Sequence, residues 1–206
     1  MENESLIDTT ERLLPAKTVE NTIFEQINKA SEATYNTVIT NNQNSSIVHS
    51  DEQVARTAEN AKFDKASEIA LLIAQDLIGG NLNTIINAPE YNIKDIAMNI
   101  AMNMRAKIGS LSENIIDDNS SPVDVVWASI IEQSKPDSDK VTEDIAKGLV
   151  ADLDINQVKE TVKNAPNETE AMAAVIKLIA SDIVSRKYAK DSSDKLKQTG
   201  FYSSFK

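Results

Sequence analysis

The chain has 206 residues, 41% hydrophobic and 26% charged, with five glycines, five prolines and no cysteine, which excludes collagen-like, linker-like and wholly disordered proteins. Without cysteine there is no disulfide, thiolate zinc site, iron–sulfur cluster or cysteine nucleophile, and the single histidine, His49, excludes metal motifs that need two. The formal charge of −11 argues against a nucleic-acid partner, because affinity for a polyanion comes from neutralising its phosphates with lysine and arginine.

Apolar residues in the first half recur at spacings of three and four, a period that predicts α-helices. We expect an N-terminal arm over residues 1–16 and a first helical unit over residues 17–110. The predicted helices of this unit cover residues 17–40, 50–78, 81–88 and 93–108. Ser50 is predicted to cap the second of them, whose inward positions include Ala58, Ile69, Leu72, Ile73 and Leu77. The Gly79-Gly80 pair is predicted to end that helix.

The second half shows the same helical spacing. Ser121 and Pro122 are typical of an N-cap and a first helical residue. The predicted helices cover residues 122–134, 138–151, 154–165 and 167–190. We therefore predict an all-α fold of about eight helices without a strand, with residues 111–190 as a second helical unit.

Residues 69–108 and 145–187 resemble each other. A shift of 76 positions aligns Ile69 and Ala70 with Ile145 and Ala146, and one further residue aligns the two Asn-Ala-Pro segments that begin at Asn87 and Asn164. One interpretation is a duplication that gives two similar four-helix units packed together. The other is chance similarity within a helix-rich chain of biased composition.

The C-terminal tail, residues 191–206, is basic and aromatic on an acidic chain. From Arg186 to Lys206 the net charge is +4, so the residues before this segment carry −15. Three of the nine aromatic residues lie in the last six positions. The tail is either a solvated terminus or a docking arm, and the predicted partner-binding residues are Lys195, Lys197, Phe201, Tyr202 and Phe205.

The helix over residues 93–108 carries Met98 and Met102 away from its apolar stripe. Methionine adapts its packing and is favoured at surfaces that meet partners, so we predict a second contact face there. The alternative is a central helix that is buried on two sides. Asn99, Asn103 and Arg105 could read base edges, but the acidic charge of the chain disfavours that role.

Other motifs predict little chemistry. His49 lies beside Ser50 in a polar segment, where an ordinary surface side chain is expected rather than a catalytic base. The string from Asp152 to Asn156 matches the first three positions of a calcium loop. It then has Gln157 where glycine is required and Lys163 where a bidentate glutamate is required. We predict no catalytic residue, no metal and no cofactor.

These observations favour a non-catalytic interaction or assembly protein whose acidic body and basic aromatic tail contact a protein partner or a second copy. One alternative is a carboxylate-based hydrolase with a cleft between the two units, and another is a carrier of a small ligand or lipid. The first thirty residues lack a secretory signal, and no apolar run is long enough to span a membrane. We expect the protein in the cytoplasm, or exported without a conventional signal peptide.

Overall fold

The fold is all-α, as the sequence predicts. A computed structural model describes residues 6–45, 49–80, 82–111 and 116–198, and these residues contain eight helices and no strand. The helices are α1 (Leu6–Gln43), α2 (Asp51–Ile78), α3 (Asn83–Ile86), α4 (Ile93–Ser110), α5 (Pro122–Gln133), α6 (Ser138–Leu149), α7 (Ile155–Asn164) and α8 (Glu168–Gln198).

Side-chain caps fix where several helices begin. Ser50 accepts a hydrogen bond from the Gln53 backbone N–H at 3.3 Å, and Ser121 caps α5 in the same way. A reciprocal capping box, which was not predicted, opens α4: the Asn92 side-chain oxygen accepts from the Lys94 backbone N–H, and the Asp95 carboxylate accepts from the Asn92 backbone N–H, each at 2.8 Å. These contacts satisfy backbone N–H groups that have no partner inside the helix.

The two terminal helices are longer than predicted. Helix α1 begins at Leu6, inside the predicted arm, and its residue Ala16 is buried. Helix α8 continues to Gln198, eight residues into the predicted tail. The tail beyond Gln198 lies outside the described residues. The division of the chain at residues 16 and 190 therefore does not coincide with a helix boundary.

Helices α1 and α2 form an antiparallel hairpin against which other helices pack. Helix α8 lies along α2, helices α5 and α6 lie along α1, and helix α4 packs against α6 and α2. Helix α7 packs on α8. The largest fully buried apolar side chains come from both halves of the chain and include Ile23, Ile27, Ile73, Ile78, Ile96, Ile100, Met104, Ile130, Ile145 and Leu149.

The buried residues form one hydrophobic cluster to which both predicted units contribute. The two Asn-Ala-Pro segments each follow a helix end, at α3 and at α7. The duplication and the two-unit division stay predictions. One predicted inward position is wrong, because Leu72 is 45% exposed and Leu71 packs against the core instead.

None of the helices in the described residues is both long enough and apolar enough to cross a bilayer.

Candidate functional site

A groove of about 530 Å³ lies between helix α4 and the segment that leads into it. One wall comes from α3 and the connection to α4, and it includes Ile85, Ala88 and Tyr91. The other wall is one face of α4, because positions spaced by three and four residues lie on the same side of a helix. Asp95, Met98, Asn99 and Met102 have this spacing and line the groove.

Both predicted methionines are exposed in this groove. Met98 is 43% and Met102 is 55% exposed, although α4 buries residues around most of its circumference. Helix α4 is thus central, as the alternative interpretation requires, but it leaves one stripe open. Exposed methionines beside Ile85 and Ala88 give the groove an apolar floor that can adapt to the shape of a bound group.

The groove carries acidic charge as well as apolar surface. Glu90 is exposed at its edge, and Asp95 lies in the first turn of α4. One oxygen of Asp95 accepts from the Asn92 backbone N–H at 2.8 Å, which fixes the carboxylate in place. The groove therefore suits a partner with an apolar or aromatic group next to a positive charge.

Tyr91 adds an unusual polar atom beneath the groove. Its side chain is buried, and its hydroxyl has no hydrogen-bond partner among the described residues. Burial raises the pKa of this phenol above 10.0, so the hydroxyl keeps its proton at neutral pH. It is a donor and an acceptor whose capacity is unused among the described residues.

Asn99, Asn103 and Arg105 do not form a surface for reading bases. Asn99 and Asn103 are buried, and their amide nitrogens donate to backbone carbonyls at the end of α2. Arg105 pairs with Asp139 and Glu143 of α6, at 3.1 and 2.7 Å. Their partners lie on other helices, so the spacing along α4 gave no signal for these roles.

A second cavity, of about 520 Å³, lies between α5 and the C-terminal end of α4. Trp127 lines it and donates its indole N–H to Asp76, whose other oxygen pairs with Lys107 at 3.3 Å. The Lys107 ammonium also lies 5.6 Å from the centre of the Trp127 ring. These contacts tie α2, α4 and α5 together. The remaining lining is mixed: it has apolar residues (Leu111, Ile116, Val123, Ala128 and Ile131) and polar or charged ones (Ser121, Asp124, Glu132 and Lys135).

The hydrolase alternative requires two carboxylates that face a cavity, with a raised pKa in one of them. Asp182 has a raised pKa, mainly because it is buried, while the adjacent Arg186 opposes that rise. Its carboxylate is held by Arg186 at 2.9 Å, and Asp182 lines neither the α4 groove nor the cavity beside Trp127. The residue with the required pKa is therefore part of an ion-pair network between helices.

The predicted tail residues are only partly described. Lys195 is exposed on α8, and Lys197 lies in the same helix but its side chain is outside the described part. Phe201, Tyr202 and Phe205 lie outside the described residues altogether. His49 is exposed. Across the described segments, no three carboxylate or histidine side chains converge as metal ligands.

Comparison with known proteins assigns no family. No protein-family model matches the sequence, and neither a curated protein nor a solved structure matches it.

Proposed function

We propose that this protein is a non-catalytic helical assembly protein whose copies contact one another through the groove of α4. The observation that carries the proposal is the exposure of Met98 and Met102 on a helix whose other large apolar side chains are buried or partly buried. Large apolar side chains that share one concave surface are typical of protein contact sites. Such exposed side chains lower the solubility of a protein unless a partner covers them.

A second copy is the partner that the charge distribution favours. The groove is flanked by Glu90 and Asp95, and the largest excess of positive charge along the chain, +4, lies between Arg186 and Lys206. Opposite charges on the same polypeptide allow copies to associate despite a net charge of −11. The proposed contact therefore joins the acidic groove of one copy to the basic end of another.

Sedimentation velocity of the full chain at increasing concentration tests this function. The groove variant carries Met98→Lys and Met102→Lys, which remove apolar surface and repel a basic partner. The matched control carries Leu72→Lys and Leu14→Lys, at positions that are 45% and 60% exposed and lie outside the groove.

We expect the wild type and the control to associate and the groove variant to stay monomeric. Circular dichroism checks that all three chains keep their helices. A wild-type chain that is monomeric at every concentration, or a groove variant that associates as the wild type does, contradicts the proposal.

A ligand carrier is the second candidate, and the cavity beside Trp127 favours it. Its volume of about 520 Å³ lies within the range of about 300 to 1,000 Å³ typical of small-molecule sites. Native mass spectrometry of the purified protein should then show a bound mass. Ala128→Trp, which fills the cavity, should remove that mass, and a protein without any bound mass contradicts the carrier function.

A further inference from the structure

We infer that the α4 groove of one copy binds residues 199–206 from the C-terminus of a second copy. The inference deepens the proposed function, because it names the segment that enters the groove. It rests on three observations: the chemistry of the two surfaces, the direction of helix α8, and the length of chain between α8 and the aromatic residues.

The two surfaces have complementary chemistry. The groove offers Met98 and Met102 as an apolar floor, with Glu90 and Asp95 as the carboxylates beside it. Residues 199–206 contain Phe201, Tyr202 and Phe205 and end in Lys206, and the exposed Lys195 precedes them on α8. An aromatic ring makes a favourable contact with a methionine sulfur. A lysine that lies beside a carboxylate helps to orient the bound segment.

Helix α8 carries its C-terminus away from the groove of its own copy. It runs antiparallel to α2, because the Phe63 ring stacks on Tyr188 at 5.8 Å while Leu71 shares a cavity with Lys177 and Ala180. The same pairing places Ile78, at the end of α2, roughly opposite Ala173 of α8. Ile78 lies at the groove, since its carbonyl accepts from Asn99 at 3.2 Å.

The chain between the end of α8 and the aromatic residues is too short for them to reach the groove of their own copy. From the level of Ala173 to Gln198 helix α8 rises about 37 Å, at roughly 1.5 Å per residue. Phe205 lies seven residues beyond Gln198 and, fully extended, reaches about 25 Å from it. While α8 keeps its helix to Gln198, the aromatic residues fall short of their own groove. The occupied groove therefore belongs to another copy.

A mixing experiment tests the exchange between copies. One chain is truncated to residues 1–198, which preserves the whole of α8 and the groove but removes the aromatic segment. The other is the full chain with Met98→Lys and Met102→Lys, which keeps the segment and blocks the groove. We expect each chain to be monomeric alone and the mixture to form a one-to-one complex in sedimentation velocity.

Methionine methyl resonances locate the contact. The truncated chain, labelled at methionine methyl groups, is titrated with a peptide of residues 195–206. The resonances of Met98 and Met102 should shift, while that of the fully buried Met104 should not. A peptide with alanine at Phe201, Tyr202 and Phe205 should bind at least about tenfold more weakly, since aromatic anchors dominate such contacts.

The outcomes separate this inference from the proposed function. If the truncated chain associates as the wild type does while the groove variant stays monomeric, copies meet through the groove but residues 199–206 do not enter it. If the two variant chains form no complex when they are mixed, residues 199–206 likewise do not enter the groove. The full chain could also be monomeric while its Met98 and Met102 resonances differ from those of the truncated chain. Residues 199–206 would then bind the groove of their own copy, and the exchange between copies would be wrong.

Discussion

Asn103 holds the C-terminal end of α2 by donating a hydrogen bond from its side-chain nitrogen to the carbonyl oxygen of Asp76, at 2.7 Å. The same nitrogen donates to the Leu77 carbonyl at 2.9 Å, and Asn99 serves Ile78 in the same way. The last carbonyls of a helix have no partner within it, and these are covered by α4. Helix α4 thus supplies the cap of α2 from outside it.

Asn103→Ala should destabilise the fold by about 1 to 3 kcal/mol, because it leaves buried carbonyl groups without a donor. Chemical denaturation measures the free energy of unfolding. Asn41→Ala at an exposed position of α1 is the control and should change it by no more than about 0.5 kcal/mol. An equally small effect at Asn103 would show that the cap contributes nothing.

Gly79→Ala should also be costly, because Gly79 ends α2 with φ of 64° and ψ of −161°, a conformation that side chains rarely adopt. An added Cβ would lie 2.6 Å from the Asn103 side-chain oxygen. We expect a loss of about 1 to 3 kcal/mol. Gly80→Ala is the neighbouring control, since its Cβ would have nothing within 4 Å, and similar losses at both positions would contradict this explanation.

The helices could be predicted from the sequence because their signals are local. Apolar spacing marks each buried face, and Ser50, Ser121 and Gly79 mark ends through contacts within a few residues. The start of α1 was missed because Pro15 lies inside it, and a proline in a helical pattern normally marks a boundary. The end of α8 was missed because residues 191–198 are mostly polar and weaken the apolar stripe.

The polar contacts between helices could not be predicted, since each depends on a residue far away in the sequence. Lys187 is a separate case: it follows the buried Ile183 by four residues, on the inward stripe of α8, and is 1% exposed. Its ammonium pairs with Asp191 on the next turn of the same helix at 2.8 Å, which explains how the fold accommodates it. The candidate site was predicted at Met98 and Met102 only because two long apolar side chains stood outside the stripe of their helix. The opposite wall, with Tyr91, was missed.

Gly148→Ala tests the contact between α6 and Ala16 in the first third of α1. An added Cβ would lie 2.7 Å from the Cβ of Ala16, so the helices would have to separate. We expect a loss of about 1 to 3 kcal/mol, although alanine is the better helix former. The double variant with Ala16→Gly should regain part of it. In a double-mutant cycle, additive effects of the two changes would show that these residues do not touch.

Arg186→Leu should destabilise the fold more at neutral than at acidic pH. Arg186 pairs with Asp182 and Glu20 and donates to the Leu149 carbonyl at 2.7 Å. Burial already raises the pKa of Asp182 above 3.8, and loss of the guanidinium raises it further. A raised carboxyl pKa in the folded state favours folding at low pH. This contribution is lost as the pH rises through the folded-state value.

Unfolding free energies of wild type and variant between pH 4 and pH 7 check this dependence. The difference between the two chains should shrink as the pH falls and Asp182 takes up a proton. In an Asp182→Asn background this change with pH should be largely absent. A difference that is the same at both ends of the range contradicts the role of Asp182.

Tyr91→Phe separates stability from binding at the groove. The Tyr91 hydroxyl is buried without a partner among the described residues, which costs free energy in the isolated chain. Its removal from the chain of residues 1–198 should leave stability unchanged or raise it by up to about 2 kcal/mol. If a bound segment supplies the missing hydrogen bond, the same change should weaken binding of the peptide of residues 195–206. Thermal unfolding and the methyl titration measure the two effects. A Tyr91→Phe variant that is clearly less stable than the same chain with Tyr91 would contradict an unpartnered hydroxyl, because a lost hydrogen bond is the main cost of removing a buried hydroxyl.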